Sequence, residues 1–183
     1  MMRTTPSCSR GAGLIEVMVA SLVLALGLLG IAGLQASAIA NNLSAWQYSQ
    51  ATALAQAMIE RMRANRAGVL AGHYLRTATE AAPVADVDCS LIGSRCSPEQ
   101  QADWDLAMLY AQLSADAALD HLPAGPRAIL PGGRLSISCA SDCAAPALQL
   151  VTIYWDASRN GASGTDCRDD RSQLHCLRLG FVP

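Results

Sequence analysis

The feature that most constrains this chain is a long stretch without charge near its amino terminus. No charged residue occurs between Glu16 and Glu60, and residues 17–40 are almost all apolar or small. A helix of about 24 residues rises roughly 36 Å, which is enough to cross the hydrocarbon core of a bilayer. We therefore predict a membrane-spanning helix. A secretory signal peptide is disfavoured, because its apolar part is only about 7–15 residues long and precedes a cleavage site.

Glu16 is the costly residue at the start of this stretch. A carboxylate at the centre of a bilayer costs about 2.5–3.5 kcal/mol by insertion scales, so Glu16 needs a partner or a polar surface. One interpretation is an ordinary single-span anchor whose acidic residue lies at the membrane interface. A more specific pattern surrounds it, however. A basic stub precedes Gly11, and Glu16 is the fifth residue after that glycine.

Together these residues resemble the class III signal of type IV pilins and pseudopilins. The resemblance implies that a membrane-embedded aspartyl peptidase cuts after Gly11 and that the new amino group, on Ala12, is methylated. It also implies that Glu16 becomes the fifth residue of the mature chain and serves assembly. The residue after the cut is usually Phe or another bulky apolar residue, and Ala12 departs from that pattern.

The continuation resembles one group within that family, the minor pilins called PilV, or type IV pilus modification proteins. The resemblance rests on the run LIEVMVASLVLALGLLGIAGLQ and on SQATALAQAMIERMRANR at residues 49–66. It implies a low-copy pilin, not an enzyme, that assembles into or primes the type IV pilus and modifies its biogenesis. The implied partners are other minor and major pilins, the prepilin peptidase and the assembly platform. The implied location is the bacterial inner membrane, crossed once, with a periplasmic head that reaches the fibre at the cell surface.

Other functions remain as alternatives. A type II secretion pseudopilin carries the same amino-terminal pattern. A DNA-uptake or adhesion module on the pilus needs a basic or aromatic stripe to hold nucleic acid. With a net charge of −2 and a single phenylalanine, this chain is not expected to bind nucleic acid. It also has no P-loop, no G-x-S-x-G and no H-E-x-x-H motif, so we predict neither catalysis nor a cofactor.

The pattern divides the chain into three parts and predicts an α+β fold. Residues 1–11 are the prepilin leader, residues 12–40 the transmembrane and assembly helix, and residues 41–183 the periplasmic head. The head includes the amphipathic half of the first helix, because apolar residues continue at helical spacing past residue 40. These residues are Leu43, Trp46, Leu54, Met58 and Met62. The helix is expected to stop at Gly68 or Gly72, and a connecting loop follows it.

A second helix and a sheet complete the predicted head. The helix is expected over residues 97–121, because Ser97 supplies a cap, Pro98 occupies the first turn and Gln100 follows three residues after the serine. Strands are predicted at residues 134–139, 148–155 and 173–181 from their alternation and β-forming residues. The predicted fold is α+β, with a long helix packed under a small C-terminal antiparallel sheet, and it resembles the fold of type IV pilins.

The number of cysteines outside the predicted leader indicates export. Cys8 leaves with the leader, and an even number remains, namely Cys89, Cys96, Cys139, Cys143, Cys167 and Cys176. In an oxidising periplasm such a set predicts disulfides, with fifteen possible connectivities. We favour pairing each cysteine with its nearest neighbour in this order, because each such pair brackets a turn-rich stretch. A zinc site is the alternative, and the lack of any C-x-x-C spacing disfavours it.

Carboxylates give one weak metal signal. Asp156, Ser158 and Asn160 occupy the first, third and fifth positions of a calcium-loop pattern, with glycine at the sixth. The twelfth position is cysteine instead of glutamate, so we interpret the segment as a glycine turn between strands and keep calcium as the alternative. The pair Asp103 and Asp105 is interpreted as a solvated feature of a helix face.

Overall fold

The computed structural model describes residues 13–113, 119, 122–123, 128–140, 143, 147–162, 167 and 174–183. They fall into two compact units, one formed by the described residues up to Leu43 and the other by those from Ser44 to Pro183. The second unit is called the head below.

The first unit is the amino-terminal part of helix α1, which runs from Leu14 to Ala64 over 51 residues. All residues from 14 to 43 are exposed. An 18-residue window of α1 has a mean hydropathy of 2.5 and buries none of its residues. By length and composition, α1 can therefore cross a membrane, as the charge-free stretch predicts.

The carboxyl-terminal part of α1 contributes one buried face to the head. The buried residues recur at intervals of three and four, which places them on one side of a helix. They are Gln47, Ala51, Leu54, Ala55, Met58, Ile59 and Met62. Leu43 and Trp46, which the sequence placed on the same stripe, are instead 44% and 47% exposed. The buried stripe therefore begins later than predicted, at Gln47.

The long helix ends at a break that the sequence analysis missed. Asn65 leaves helical geometry, with φ −108° and ψ 57°, and its side-chain oxygen accepts a hydrogen bond from the Gly68 N–H at 3.2 Å. This cap starts a short helix α2, Arg66–Leu70, at the place where the sequence predicted the end of the first helix. Gly72 then ends α2 with φ +80°, and the His73 N–H donates to the Gly68 carbonyl at 3.0 Å. Gly72 is thus the stop of α2, in the geometry that glycine favours after a helix.

Helix α3, Pro98–Leu113, begins where the sequence predicts. The Ser97 hydroxyl accepts a hydrogen bond from the Gln100 N–H at 3.2 Å, and the Gln100 side chain accepts one from the Ser97 N–H at 2.9 Å. Both bonds of a capping box are therefore present. The described part of α3 ends at Leu113. Residues 114–118 and 120–121 lie outside the described residues, and Leu119 lies in a 3₁₀ turn.

The described strands are β1, Arg134–Cys139, β2, Gln149–Trp155, and β3, His175–Phe181. They form an antiparallel sheet in the order β1-β2-β3. Both faces of the central strand are covered. Val151, Ile153 and Trp155 belong to the main core, whereas Tyr154 packs in a small second cluster on the opposite face. Burial on both faces explains the nearly continuous apolar run of β2. The predicted α+β fold is confirmed.

Side chains join the sheet to the head part of α1. The Trp155 indole is fully buried, and its Nε1–H donates to the Gln47 side-chain oxygen at 3.3 Å. The Tyr48 ring meets the same indole edge-to-face, with ring centroids 4.9 Å apart. A buried indole N–H needs an acceptor, and Gln47 provides it. This hydrogen bond explains why a polar residue is buried at position 47.

Candidate functional site

The first candidate site is the exposed apolar surface of α1. Its large apolar side chains are between 53% and 84% exposed and lie on every side of the helix. They are Leu14, Ile15, Val17, Met18, Val19, Leu22, Val23, Leu24, Leu26, Leu28, Leu29, Ile31, Leu34 and Ile39. A helix that is apolar all round is stable only inside a membrane or among other helices. This surface therefore requires an apolar environment that the chain itself does not provide.

Glu16 lies in the first turn of α1, at the apolar surface. Its backbone N–H donates to the Gly13 carbonyl at 2.9 Å, and its side chain is exposed. Among the described residues, no side chain forms an ion pair with Glu16. The helix dipole favours an acidic group in this first turn. Gly11 and Ala12, the predicted cleavage and methylation site, lie outside the described residues.

Comparison with known families gives a match over part of the chain. A family model described as Tt1218-like, type IV pilin Tt1218, matches residues 33–107. The match supports a type IV pilin. The matched stretch includes the head part of α1, α2 and most of α3, and it contains neither Glu16 nor the sheet. No curated protein and no solved structure matches the chain.

The described part of this pilin-like chain contains three disulfides. They join Cys89 to Cys96, Cys139 to Cys143 and Cys167 to Cys176, with Cα separations of 5.9, 5.4 and 5.3 Å. These are the three local pairs favoured by the sequence. The first closes the loop before α3, the second joins the last residue of β1 to Cys143, and the third joins Cys167 to β3. Because these sulfur atoms are bonded to each other, they are not available as thiolate ligands for zinc.

We expect peptide mapping of unreduced protein to recover these three pairs and no free thiol in the head. The sequence separations are only 7, 4 and 9 residues. Short loops restrict the unfolded chain modestly, so each bridge should contribute about 2 kcal/mol. Thermal denaturation with and without reductant measures the effect, and reduction should lower the melting temperature. Recovery of six alkylatable thiols from periplasmic material contradicts this prediction.

The weak calcium candidate forms a turn. Asp156 is 6% exposed, and its Oδ2 accepts hydrogen bonds from the N–H groups of Gly161 and Ala162 at 2.7 and 3.2 Å. The Asn160 side-chain oxygen accepts a second bond from the Ala162 N–H at 3.0 Å. Ser158 is exposed. Side-chain oxygens of Asp156 and Asn160 therefore hold the turn after β2 through backbone N–H groups, a common role of these residues.

The sequence analysis interpreted Asp103 and Asp105 as a solvated pair, and for Asp105 this interpretation is wrong. Asp105 is only 4% exposed and ties α3 to two other segments. The Tyr74 hydroxyl donates to Asp105 Oδ2 at 2.7 Å, and the Gln101 amide donates to Oδ1 at 3.0 Å. Arg61 Nη1 lies 3.9 Å from Oδ1 and donates to the Asp105 carbonyl at 3.4 Å. One signal was available in the sequence, because Asp105 lies three residues after Ala102, on the face that α3 buries.

Burial sets the protonation of this network. Burial is the main cause that raises the pKa of Asp105 above its usual 3.8, against the hydrogen bonds from Tyr74 and Gln101 and the charge of Arg61. Burial also raises the pKa of the Tyr74 hydroxyl, so it remains a donor at neutral pH. Ionisation of the Asp105 carboxyl therefore costs more free energy in the folded protein than in the unfolded chain.

This cost predicts a pH dependence that Asp105→Asn removes. Because the pKa of Asp105 is higher in the folded state, the folded protein binds more protons than the unfolded chain between the ordinary pKa of 3.8 and the raised folded-state pKa. The free energy of unfolding of the wild-type protein should therefore fall relative to that of the variant as pH rises from about 4 to 7. Urea denaturation across that range measures the difference. If the wild type instead gains stability relative to the variant, the hydrogen bonds and Arg61 outweigh burial and the prediction is wrong.

Proposed function

We propose that this chain is a minor pilin of the PilV type, which assembles at low copy into or under a type IV pilus and modifies its biogenesis. The observation that carries this proposal is the continuity of α1. One helix of 51 residues has an apolar surface exposed on all sides and then a stripe buried in the head. The family match supports a pilin role in the pilus, which is a structural role. The resemblance of residues 49–66 to PilV proteins supports the narrower assignment.

In this proposal the apolar surface of α1 has two successive environments. Before assembly it lies in the bacterial inner membrane, with the head in the periplasm, and afterwards it packs against the helices of other major and minor pilins. Residues 1–11 form the leader, 12–40 the assembly helix and 41–183 the head. The prepilin peptidase and the assembly platform are the partners at the membrane. The family match and the apolar helix fit both membrane anchoring and pilus assembly.

Glu16 provides the specific contact in this assembly. Cleavage after Gly11 creates a methylated amino group on Ala12 that stays protonated in the apolar layer. A carboxylate alone in a low-dielectric layer is costly, and attraction to such a cation offsets part of that cost. Glu16 therefore docks against the amino group of its own chain or of the neighbouring subunit, and the contact sets the register of the helices.

We expect the mature protein to begin at Ala12. The spacing from Gly11 to Glu16 and the basic stub before it predict this cut. Mass spectrometry of the amino-terminal peptide from native membranes should show Ala12 carrying one methyl group. Gly11→Ala is the test variant, because the peptidase of the resembled family cuts after glycine, and it should accumulate uncut. A wild-type chain that still starts at Met1 or Met2, or that is cut after residue 40, contradicts the proposal.

Imaging pili in a strain that lacks this chain tests the function itself. Fewer or altered pili, restored by the intact gene, are the expected result. Co-purification then distinguishes the pilin from the pseudopilin alternative, because a minor pilin is recovered with type IV pilus components. Recovery with the type II secretion apparatus, together with unchanged pili, contradicts the proposed role.

A further inference from the structure

A pocket of mixed polar and apolar lining lies on the head, and no residue of α1 lines it. Its volume is about 470 Å³. Residues 78–82 form one wall, Tyr110 of α3 forms another, and Gly133 and Arg134 at the start of β1 complete it. The sequence analysis assigned no role to any of these residues, and neither the apolar surface nor the disulfides contribute to the pocket.

Arg134 is the unusual residue of this pocket. The side chain is half-buried, and its Nη2 atom is buried and has no hydrogen-bond partner among the described residues. Among the ion pairs of the described residues, none includes Arg134. Arg76 provides the contrast, because its guanidinium lies 3.8 Å from the Glu80 carboxylate and 3.5 Å from that of Asp103. A buried polar group without a partner is costly, and the cost is larger for a charged group. The Nε atom of Arg76 is also buried without a partner, but its charge is paired, whereas that of Arg134 forms no ion pair with any described residue.

The other polar groups of the pocket are already engaged. Glu80 brings a negative charge to the wall, but its carboxylate faces Arg76 and also accepts a hydrogen bond from the Thr77 hydroxyl at 3.1 Å. The Tyr110 hydroxyl donates to the Glu80 carbonyl at 3.3 Å, and burial raises its pKa, so it stays neutral. Of the two charged residues that line the pocket, Arg134 is thus the one without an ion-pair partner among the described residues.

We propose that this pocket binds a carboxylate through Arg134. A planar guanidinium matches a carboxylate in geometry and charge, and it takes both oxygens at once. A single negative charge suits the pocket better than a phosphate dianion, because Glu80, which also lines the pocket, disfavours additional negative charge. The volume exceeds that of one carboxylate group and accommodates a chain of several further atoms. Such a group comes either from a small organic acid or from an acidic side chain of a protein partner.

The test uses the full chain in detergent micelles with two pairs of probes. Butyrate is compared with butyramide, its neutral analogue, and a short peptide with one glutamate is compared with the same peptide containing glutamine. NMR titration measures the dissociation constant for each probe. We expect at least one carboxylate probe to bind and its amide counterpart to bind about tenfold or more weakly. Binding of the peptide alone identifies a protein side chain as the source, and binding of butyrate identifies a site open to free acids.

Three variants make the test specific. Arg134→Gln should weaken carboxylate binding about tenfold or more. Arg178→Gln is the matched control, because Arg178 is exposed on β3, donates to the Thr152 hydroxyl at 3.2 Å and does not line the pocket. Thr79→Trp fills the pocket from an exposed position and leaves Arg134 in place, so it should also abolish binding even if Arg134→Gln fails to fold. The proposal is wrong if neither carboxylate binds the wild type, or if Thr79→Trp or folded Arg134→Gln binds as the wild type does.

Discussion

Trp155→Ala is expected to lower the free energy of unfolding of the head by about 3–5 kcal/mol, the usual cost of truncating a buried tryptophan. Trp155, the last residue of β2, is 0% exposed and contacts Gln47 and Tyr48 in the head part of α1. Its loss leaves a cavity beside the Tyr48 ring. It also leaves the buried Gln47 side-chain oxygen without the hydrogen bond that the indole N–H donates. The change therefore combines a packing loss with an unsatisfied polar group.

Urea denaturation and thermal melting of the full chain measure this loss, and the melting temperature should fall by roughly 10–15 °C. Trp46→Ala is the matched control, because Trp46 belongs to the same helix and is 47% exposed. It should cost about 1 kcal/mol or less. Similar losses for the two variants show that Trp155 does not join α1 to the sheet in the way that its contacts indicate.

The elements that the sequence predicted well are those in which local chemistry and the tertiary environment agree. The capping box of Ser97 and Gln100 uses only residues within one turn, so its spacing predicts the start of α3. The strands are predicted within one or two residues because their β-forming residues coincide with burial. The charge-free stretch predicts an uninterrupted helix, and α1 is indeed continuous from Leu14.

The sequence failed where a polar residue has a partner far along the chain. Asn65 ends α1 and also donates to the Pro98 carbonyl at 2.7 Å, a contact across 33 residues. Asp105 is buried because Tyr74, 31 residues earlier, donates to it. Arg134 is the opposite case, because no carboxylate of a described residue forms an ion pair with it. Periodicity reports which face of a helix is apolar, and it does not report which polar group meets which.

Glu16→Ala is expected to remove most of this chain from assembled pili while leaving its processing and membrane insertion intact. The variant is more apolar than the wild type, so insertion is not impaired. Without the carboxylate, the protonated amino group of Ala12 has no counter-charge in the apolar layer, and docking loses both that attraction and its register. The chain recovered in sheared pili, relative to the chain recovered in membranes, measures the effect. We expect a fall of about tenfold or more, as for the loss of a buried ion pair.

Two further variants separate a specific contact from a general effect of charge. Glu60→Ala removes a carboxylate from the same helix within the head, where Glu60 is exposed and pairs with Arg63 at 2.8 Å. It should enter pili as the wild type does, because exposed pairs contribute little. Glu16→Asp keeps the charge on a shorter side chain and should rescue only part of the assembly, since a buried pair requires good geometry. If Glu16→Ala enters pili as efficiently as the wild type, the apolar surface alone drives docking, and the carboxylate has no part in it.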